Sequence, residues 1–129
     1  MSLVLDSSAA VDLVVGRPEL TVLLVGQDLH VPMHFDVEAL SAVRGLLLRD
    51  QLEAAEAERA RSALGQLVTI RHSAQILLDR AWELGGSITI QDGVYVALAE
   101  SLDCPLLTTD ERLGRACSHL VDIVGPGRP

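Results

Sequence analysis

Short apolar runs alternating with amphipathic helical segments constrain this chain more than any other feature. Ser2 to Asp6 (SLVLD) is an apolar run ending in an acid. Leu29 to Val31 is a second run, ended by Pro32, and Leu67 to Arg71 is a third. A fourth lies inside the stretch Ile88 to Ala116, which reads as a helix, a buried strand ending at Asp110 and the start of another helix. Leu120 to Val124 is the last, before a Gly/Pro tail. Runs this short and apolar suit strands covered on both faces of a parallel sheet.

Between them, Ser7 and Ser8 can cap a helix over Ala9 to Val15 that stops at Gly16. Pro18 opens a short helix ending near Gly26. From Phe35 the pattern is helical, with Val37, Ala39, Leu40, Val43, Leu46 and Leu47 as its apolar face. A charged helix follows over Leu52 to Leu67, with acids early and Arg59 and Arg61 later, as the helix dipole prefers. Ser73 caps a further helix through Leu84, closed by Gly85 and Gly86. This alternation requires right-handed parallel crossovers, which predicts a three-layer α/β/α sandwich around a mostly parallel sheet, one domain over residues 1–129.

Sheets of this kind place their ligands outside the C-terminal strand ends, so the acids there are the candidates for chemistry. Asp6 ends the first strand and Asp110 the fourth, Asp92 opens a helix, and Glu38 lies on the helix after the second strand. Each has an ordinary structural use. Asp6 and Asp110 can cap helices, Thr89-Ile-Gln-Asp92 matches a capping box, and Glu38 can be a surface residue. Brought together, they would crowd four carboxylates, and without a cation some would be forced to hold protons. An all-oxygen set with no His or Cys suits Mg²⁺ or Mn²⁺ and phosphate chemistry, in which the cation polarises a phosphoryl oxygen and activates water. His34 and Glu38, four apart, can share a helix face as transition-metal ligands, but the sequence offers no third nitrogen or sulfur. His30, His72 and His119 read as surface or packing residues.

Composition sharpens this in three ways. The net charge of −8 argues against a protein that coats nucleic acid by neutralising phosphates, though not against an enzyme that meets phosphates through a cation. Every basic side chain is Arg, which favours forked phosphate contacts. Aromatics are 2% of the chain, and Phe35, Trp82 and Tyr95 all sit in apolar contexts that predict core positions. Cys104 and Cys117 form no CxxC pair, and neither a membrane span nor a signal peptide is evident, which points to a reduced, cytoplasmic protein.

Three segments, LVLDSSAAVDLV, FDVEALSAVR and QDGVYVALAESLDCPLLTTDERLGRA, resemble in order and spacing the motif blocks of PIN-domain proteins, closest to VapC toxins of bacterial toxin–antitoxin pairs. The resemblance implies a Mg²⁺- or Mn²⁺-dependent ribonuclease held inactive by a VapB-like antitoxin, and a homodimer. It matches the family's four acids to Asp6, Glu38, Asp92 and Asp110. Asp6 and Asp92 would hold the metal directly, and Glu38 and Asp110 directly or through water. Ser8 and Thr108 would keep those carboxylates in place. Arg44, Arg49, Arg112 and Arg115 follow two of the blocks and are the candidates for RNA phosphates. Two residues depart from the family pattern: Gln91 where an aromatic is usual, and Gly93 where Ala is usual, the latter weakening a helix by about 1 kcal/mol.

Two rival readings remain at this stage. One is a PIN-type RNA-processing nuclease without an antitoxin. The other is a non-catalytic, metal-binding regulatory α/β domain of receiver type, against which stands the absence of any Lys. A phosphatase of the haloacid-dehalogenase type wants Asp-x-Asp after its first strand, where this chain has Asp6-Ser7-Ser8.

Overall fold

The structure, a computed structural model, describes residues 1–125. Of the Gly/Pro tail, everything after Gly125 lies outside the described residues. Five strands form one parallel sheet: β1 (Ser2–Leu5), β2 (Asp28–Pro32), β3 (Ile70–His72), β4 (Leu106–Leu107) and β5 (Ile123–Val124), in the order β3-β2-β1-β4-β5. Val4 pairs with His30 on one side and Leu106 on the other. The chain therefore builds outward from β1 in one direction, then returns to build β4 and β5 in the other. The order reverses between β1 and β4, and a crevice opens at their C-terminal ends.

Right-handed crossovers put the first four helices on one face and the rest on the other. On the first face α1 (Ser7–Val15), α3 (Phe35–Leu48) and α4 (Ala54–Gln66) pack on one another, around a small core of Val11, Ala39, Val43, Ala57 and Ala60. A short helix, α2 (Thr21–Leu24), links α1 to β2. On the second face α6 (Ile90–Leu102) lies over β1, β2 and β4, with α5 (Leu78–Glu83) against its outer side, and α7 (Glu111–Cys117) follows β4. The main core is Leu, Val and Ala from the sheet and α6, completed by Phe35 and Tyr95. No helix among the described residues is long and apolar enough to cross a membrane.

Four expectations about local packing are corrected. Helix α3 buries Phe35, Ala39 and Val43, a four-residue spacing that turns Val37 and Leu40 outward, to 68% and 42% exposure. Trp82 is 78% exposed rather than core. Helix α5 meets α6 through Ala81, and the next residue points about 100° away from that contact. Ser73 caps no helix: its segment enters α5 through a 3₁₀ turn over Gln75–Leu77 with no side-chain cap. The third strand starts later than expected, because Leu67 still ends α4.

Gly93 and Gly125 mark two close approaches. A Cβ on Gly93 would stand 3.2 Å from the Cα and Cβ of Ala81, so the residue that weakens α6 as a helix also lets α5 close on it. A Cβ on Gly125 would stand 2.5 Å from the Thr108 carbonyl oxygen. The exit of β4, where the site begins, is thus packed to the backbone.

Candidate functional site

The first residues past β1 and β4 meet at the crevice. The Asp6 amide extends the sheet ladder by donating to the Leu107 carbonyl at 2.9 Å. Asp6 occupies the N-cap position of α1, yet its side chain makes no cap hydrogen bond. Instead it is buried, and two hydroxyls donate to one of its oxygens: Ser8 Oγ at 2.6 Å and Thr108 Oγ1 at 2.7 Å, both to Oδ2. Each hydroxyl also accepts a backbone N–H, Ser8 from Thr109 at 3.3 Å and Thr108 from Asp110 at 3.0 Å. Those amides fix which way the hydroxyl protons point. Among the described residues no hydrogen bond reaches Asp6 Oδ1. Burial, helped by the charges of Asp92 and Glu38, pushes the Asp6 carboxyl up to about 6 against the opposing pull of Ser8 and Thr108.

Glu38 arrives from α3, on the other side of the crevice. Tyr95, fully buried on α6, donates its hydroxyl to Glu38 Oε1 at 2.8 Å. Burial, first, and then the Glu38 charge raise the Tyr95 hydroxyl far above its ordinary pKa, so it stays a proton donor. His34, one helical turn before Glu38, brings Nε2 to 3.2 Å from the same Oε1 and sets its ring edge-on to Tyr95, with centroids 5.3 Å apart. The pair expected from the i, i+4 spacing is therefore present. Sequence reasoning took Tyr95 for core alone; it is core and also holds the acid. Its place three residues after Asp92, on one face of α6, was the available signal.

Asp92 and Asp110 close the ring from the first turn of α6 and the cap of α7. Thr89 Oγ1 accepts the Asp92 amide at 3.2 Å, which is one half of the anticipated capping box. The half-buried Asp92 carboxyl is raised by burial and by Asp110, against the pull of Thr89, Arg112 and His34. Asp110 does cap its helix, accepting the Leu113 amide on Oδ1 at 3.1 Å. Capping and site geometry are compatible here, since the cap sits at the strand end that faces the crevice. Of the four arginines, Arg112 is close enough to act on Asp92. Arg115 pairs with Glu111 along its own helix at 3.9 Å. Arg44 lines a shallow apolar groove between α3 and α4, and the Arg49 guanidinium folds back over Gly45. Neither is brought to the acids.

Among the described residues no group of three or more His, Cys, Asp or Glu side chains forms a ready-made metal cage. The donors fit a cation that keeps much of its water, as Mg²⁺ does. They are carboxylates that act on one another electrostatically, and one of them has an oxygen without a hydrogen bond. A divalent ion would relieve the like-charge crowding that now pushes Asp6 and Asp92 upward.

With this geometry in place, comparison with known proteins is direct. The model of the PIN domain matches residues 3–118. Ribonuclease VapC9 of Mycobacterium tuberculosis is 38% identical over 111 residues, 86% of this chain and 87% of that protein. Ribonuclease VapC12 of the same organism is 36% identical over 124 residues, 94% of this chain and 96% of that one. Among solved structures, PAE2754 from Pyrobaculum aerophilum shares the fold with a TM-score of 0.69 at 20% identity, covering 90% of this chain and 79% of its own. VapBC2 from Rickettsia felis, bound to a DNA fragment from their promoter, does so with a TM-score of 0.61 at 15% identity, covering 97% of this chain and 98% of its own. The motif blocks, the sheet order with its crevice and the matched residues agree, and this chain belongs to the PIN-domain family.

Proposed function

We propose that this protein is a VapC-type ribonuclease, the toxin of a toxin–antitoxin pair, hydrolysing RNA phosphodiester bonds with Mg²⁺ or Mn²⁺. What supports the reading is the electrostatic coupling of acids from separate parts of the chain: Asp92 and Glu38 act on Asp6, whose carboxyl burial pushes up to about 6, and Asp110 acts on Asp92. Relatives named ribonucleases, at 36–38% identity over most of the chain, support the reaction class.

In this reading Asp6 and Asp92 hold the cation, with Glu38 and Asp110 completing its shell directly or through water. A bound divalent ion would neutralise charge on the phosphodiester and make a nearby water more acidic. The chain's own part is positioning. Ser8 and Thr108 lock Asp6 Oδ2, which leaves Oδ1 for the ion. Tyr95 keeps Glu38 turned into the crevice, where it can orient the attacking water and take up its proton. Arg112, beside Asp92, is the best placed of the arginines to meet a substrate phosphate.

An antitoxin partner fits the same reading, since the fold's solved neighbours include VapBC and FitAB assemblies. Total cellular RNA incubated with the purified chain should be cut at a limited set of ends with Mn²⁺ and left whole in chelator. Co-purified antitoxin should suppress the cutting. RNA that stays intact with Mn²⁺ would refute the nuclease reading.

A further inference from the structure

We infer that Arg71 is a positioning residue for RNA cleavage: by forking onto Asp36 it sets the rotation of α3, and with it the aim of Glu38 into the crevice. The inference rests on the nuclease reading above. Strand β3 is the sheet edge and carries none of the four acids, yet it fixes the start of α3 twice. The Met33 amide, in the turn between β2 and α3, donates to the His72 carbonyl at 2.9 Å. One residue earlier on β3, Arg71 donates from Nε to Asp36 Oδ2 at 2.7 Å and from Nη2 to Oδ1 at 2.8 Å. Two parallel bonds between a planar guanidinium and a carboxylate fix orientation as well as distance.

Helix α3 needs such a fix. Its N-cap residue, His34, makes no side-chain cap hydrogen bond. The helix buries Phe35, Ala39 and Val43, and apolar contact is non-directional. Among the described residues, two hydrogen-bonded side-chain contacts tie its first turn to other elements: Asp36 to Arg71 of β3, and Glu38 to Tyr95 of α6. Residues two apart on a helix point about 200° apart, so the two contacts grip opposite sides of α3. A rotation of about 10° would carry a carboxylate lying about 6 Å from the axis by about 1 Å. A displacement of that size can cost on the order of 100-fold in rate. The Arg71 and Asp36 side chains are 42% and 47% exposed, so the pair adds little to overall stability, and its effect should be read in the reaction rather than in folding.

The test uses the full chain with Mn²⁺ and a short RNA oligonucleotide carrying a cut site mapped in total cellular RNA, at a temperature well below every variant's melting point. Arg71→Gln and Asp36→Asn should each lower kcat about tenfold or more with KM nearly unchanged. The double variant should be no slower than the slower single one, because both residues act through one contact. Melting temperatures should fall by no more than a few degrees. An unchanged kcat in either single variant, losses that multiply in the double, or a large fall in melting temperature would each overturn the assignment. A raised KM in Arg71→Gln, with Asp36→Asn like wild type, would make Arg71 a direct contact to an RNA phosphate instead. Wild-type protein that leaves the RNA whole would end the nuclease reading and this one with it, whereas equal cleavage by wild type and both variants removes the role of Arg71 alone.

Discussion

The two sides of the crevice hold their acids by different means. On the sheet side, Asp6 is buried and pinned by hydroxyls that are themselves oriented by backbone amides, and Gly125 packs the β4 exit tightly. On the helix side, Glu38 and Asp92 are partly exposed: Glu38 meets the Tyr95 hydroxyl and His34, while Thr89 holds the backbone amide of Asp92 rather than its carboxylate. The sheet side has little freedom and a proton affinity raised by dryness. Parallel strands fix an atom to the lattice of the ladder, while a helix fixes only its axis and leaves the side chain to be braced from outside.

The largest effect should come from the helix side, in Asp92→Asn. It should lower Mn²⁺-dependent RNA cleavage by more than the roughly 10–100-fold typical of residues behind the ligands, with the circular dichroism spectrum unchanged. Retained cleavage would take Asp92 out of the mechanism. Next comes a direct contrast between the two supports. Thr108→Val removes a donor from Asp6 and an acceptor from the Asp110 amide at once. Tyr95→Phe removes a single donor from Glu38. Apparent metal affinity should fall by about 10–100-fold for Thr108→Val and by less for Tyr95→Phe. The reverse ranking would break the comparison.

A third expectation concerns stability without metal. An Asp raised from 3.8 to about 6 in the folded state costs nothing well below its unfolded value of 3.8, where both states are protonated. The cost grows between those two values and is constant above the folded one, on the order of 3 kcal/mol by linkage. In chelator above pH 6, Asp6→Asn should therefore melt no lower than wild type, and the advantage should vanish below the unfolded value of 3.8. Thermal melts across that range decide it, and a drop of several degrees at neutral pH would mean that the hydroxyl contacts outweigh the crowding. The smallest effect is expected for Gly93→Ala. The helix gains about 1 kcal/mol in propensity, but the new Cβ crowds Ala81 at 3.2 Å, and overpacking typically costs about 1–3 kcal/mol. A modest net loss of melting temperature is expected; a gain would show that α5 yields, and that the helix side is looser still.

Much of this was legible in the sequence. The alternation of short apolar runs with helices forces a parallel α/β sheet, and the runs ending in acids or followed by capping residues locate the ligand edge. The motif blocks around Asp6, Glu38, Asp92 and Asp110 carry the family. What escaped the sequence was the direction in which particular side chains point. Val37, Leu40 and Trp82 are apolar and looked buried, but helices α3 and α5 meet their neighbours through small or four-spaced residues, which turns those three to solvent. Local pattern reports how apolar a helix is, while its rotation about its own axis is set by what packs against it.

The same limit separates the two halves of the site. Asp6, Ser8 and Thr108 sit at strand ends whose relative position follows from pairing and crossover rules, so their meeting could be anticipated from order along the chain. The brace on Glu38 could not. Tyr95 and Glu38 are 57 residues apart on different helices, and the edge-on packing of His34 on Tyr95 shows only once the two helices are placed. Backbone periodicity and chain order settled the fold and the list of acids. Three-dimensional packing alone decided which buried groups hold them, because contacts between helices from opposite faces of a sheet depend on axis position and rotation, quantities that no single stretch of sequence encodes.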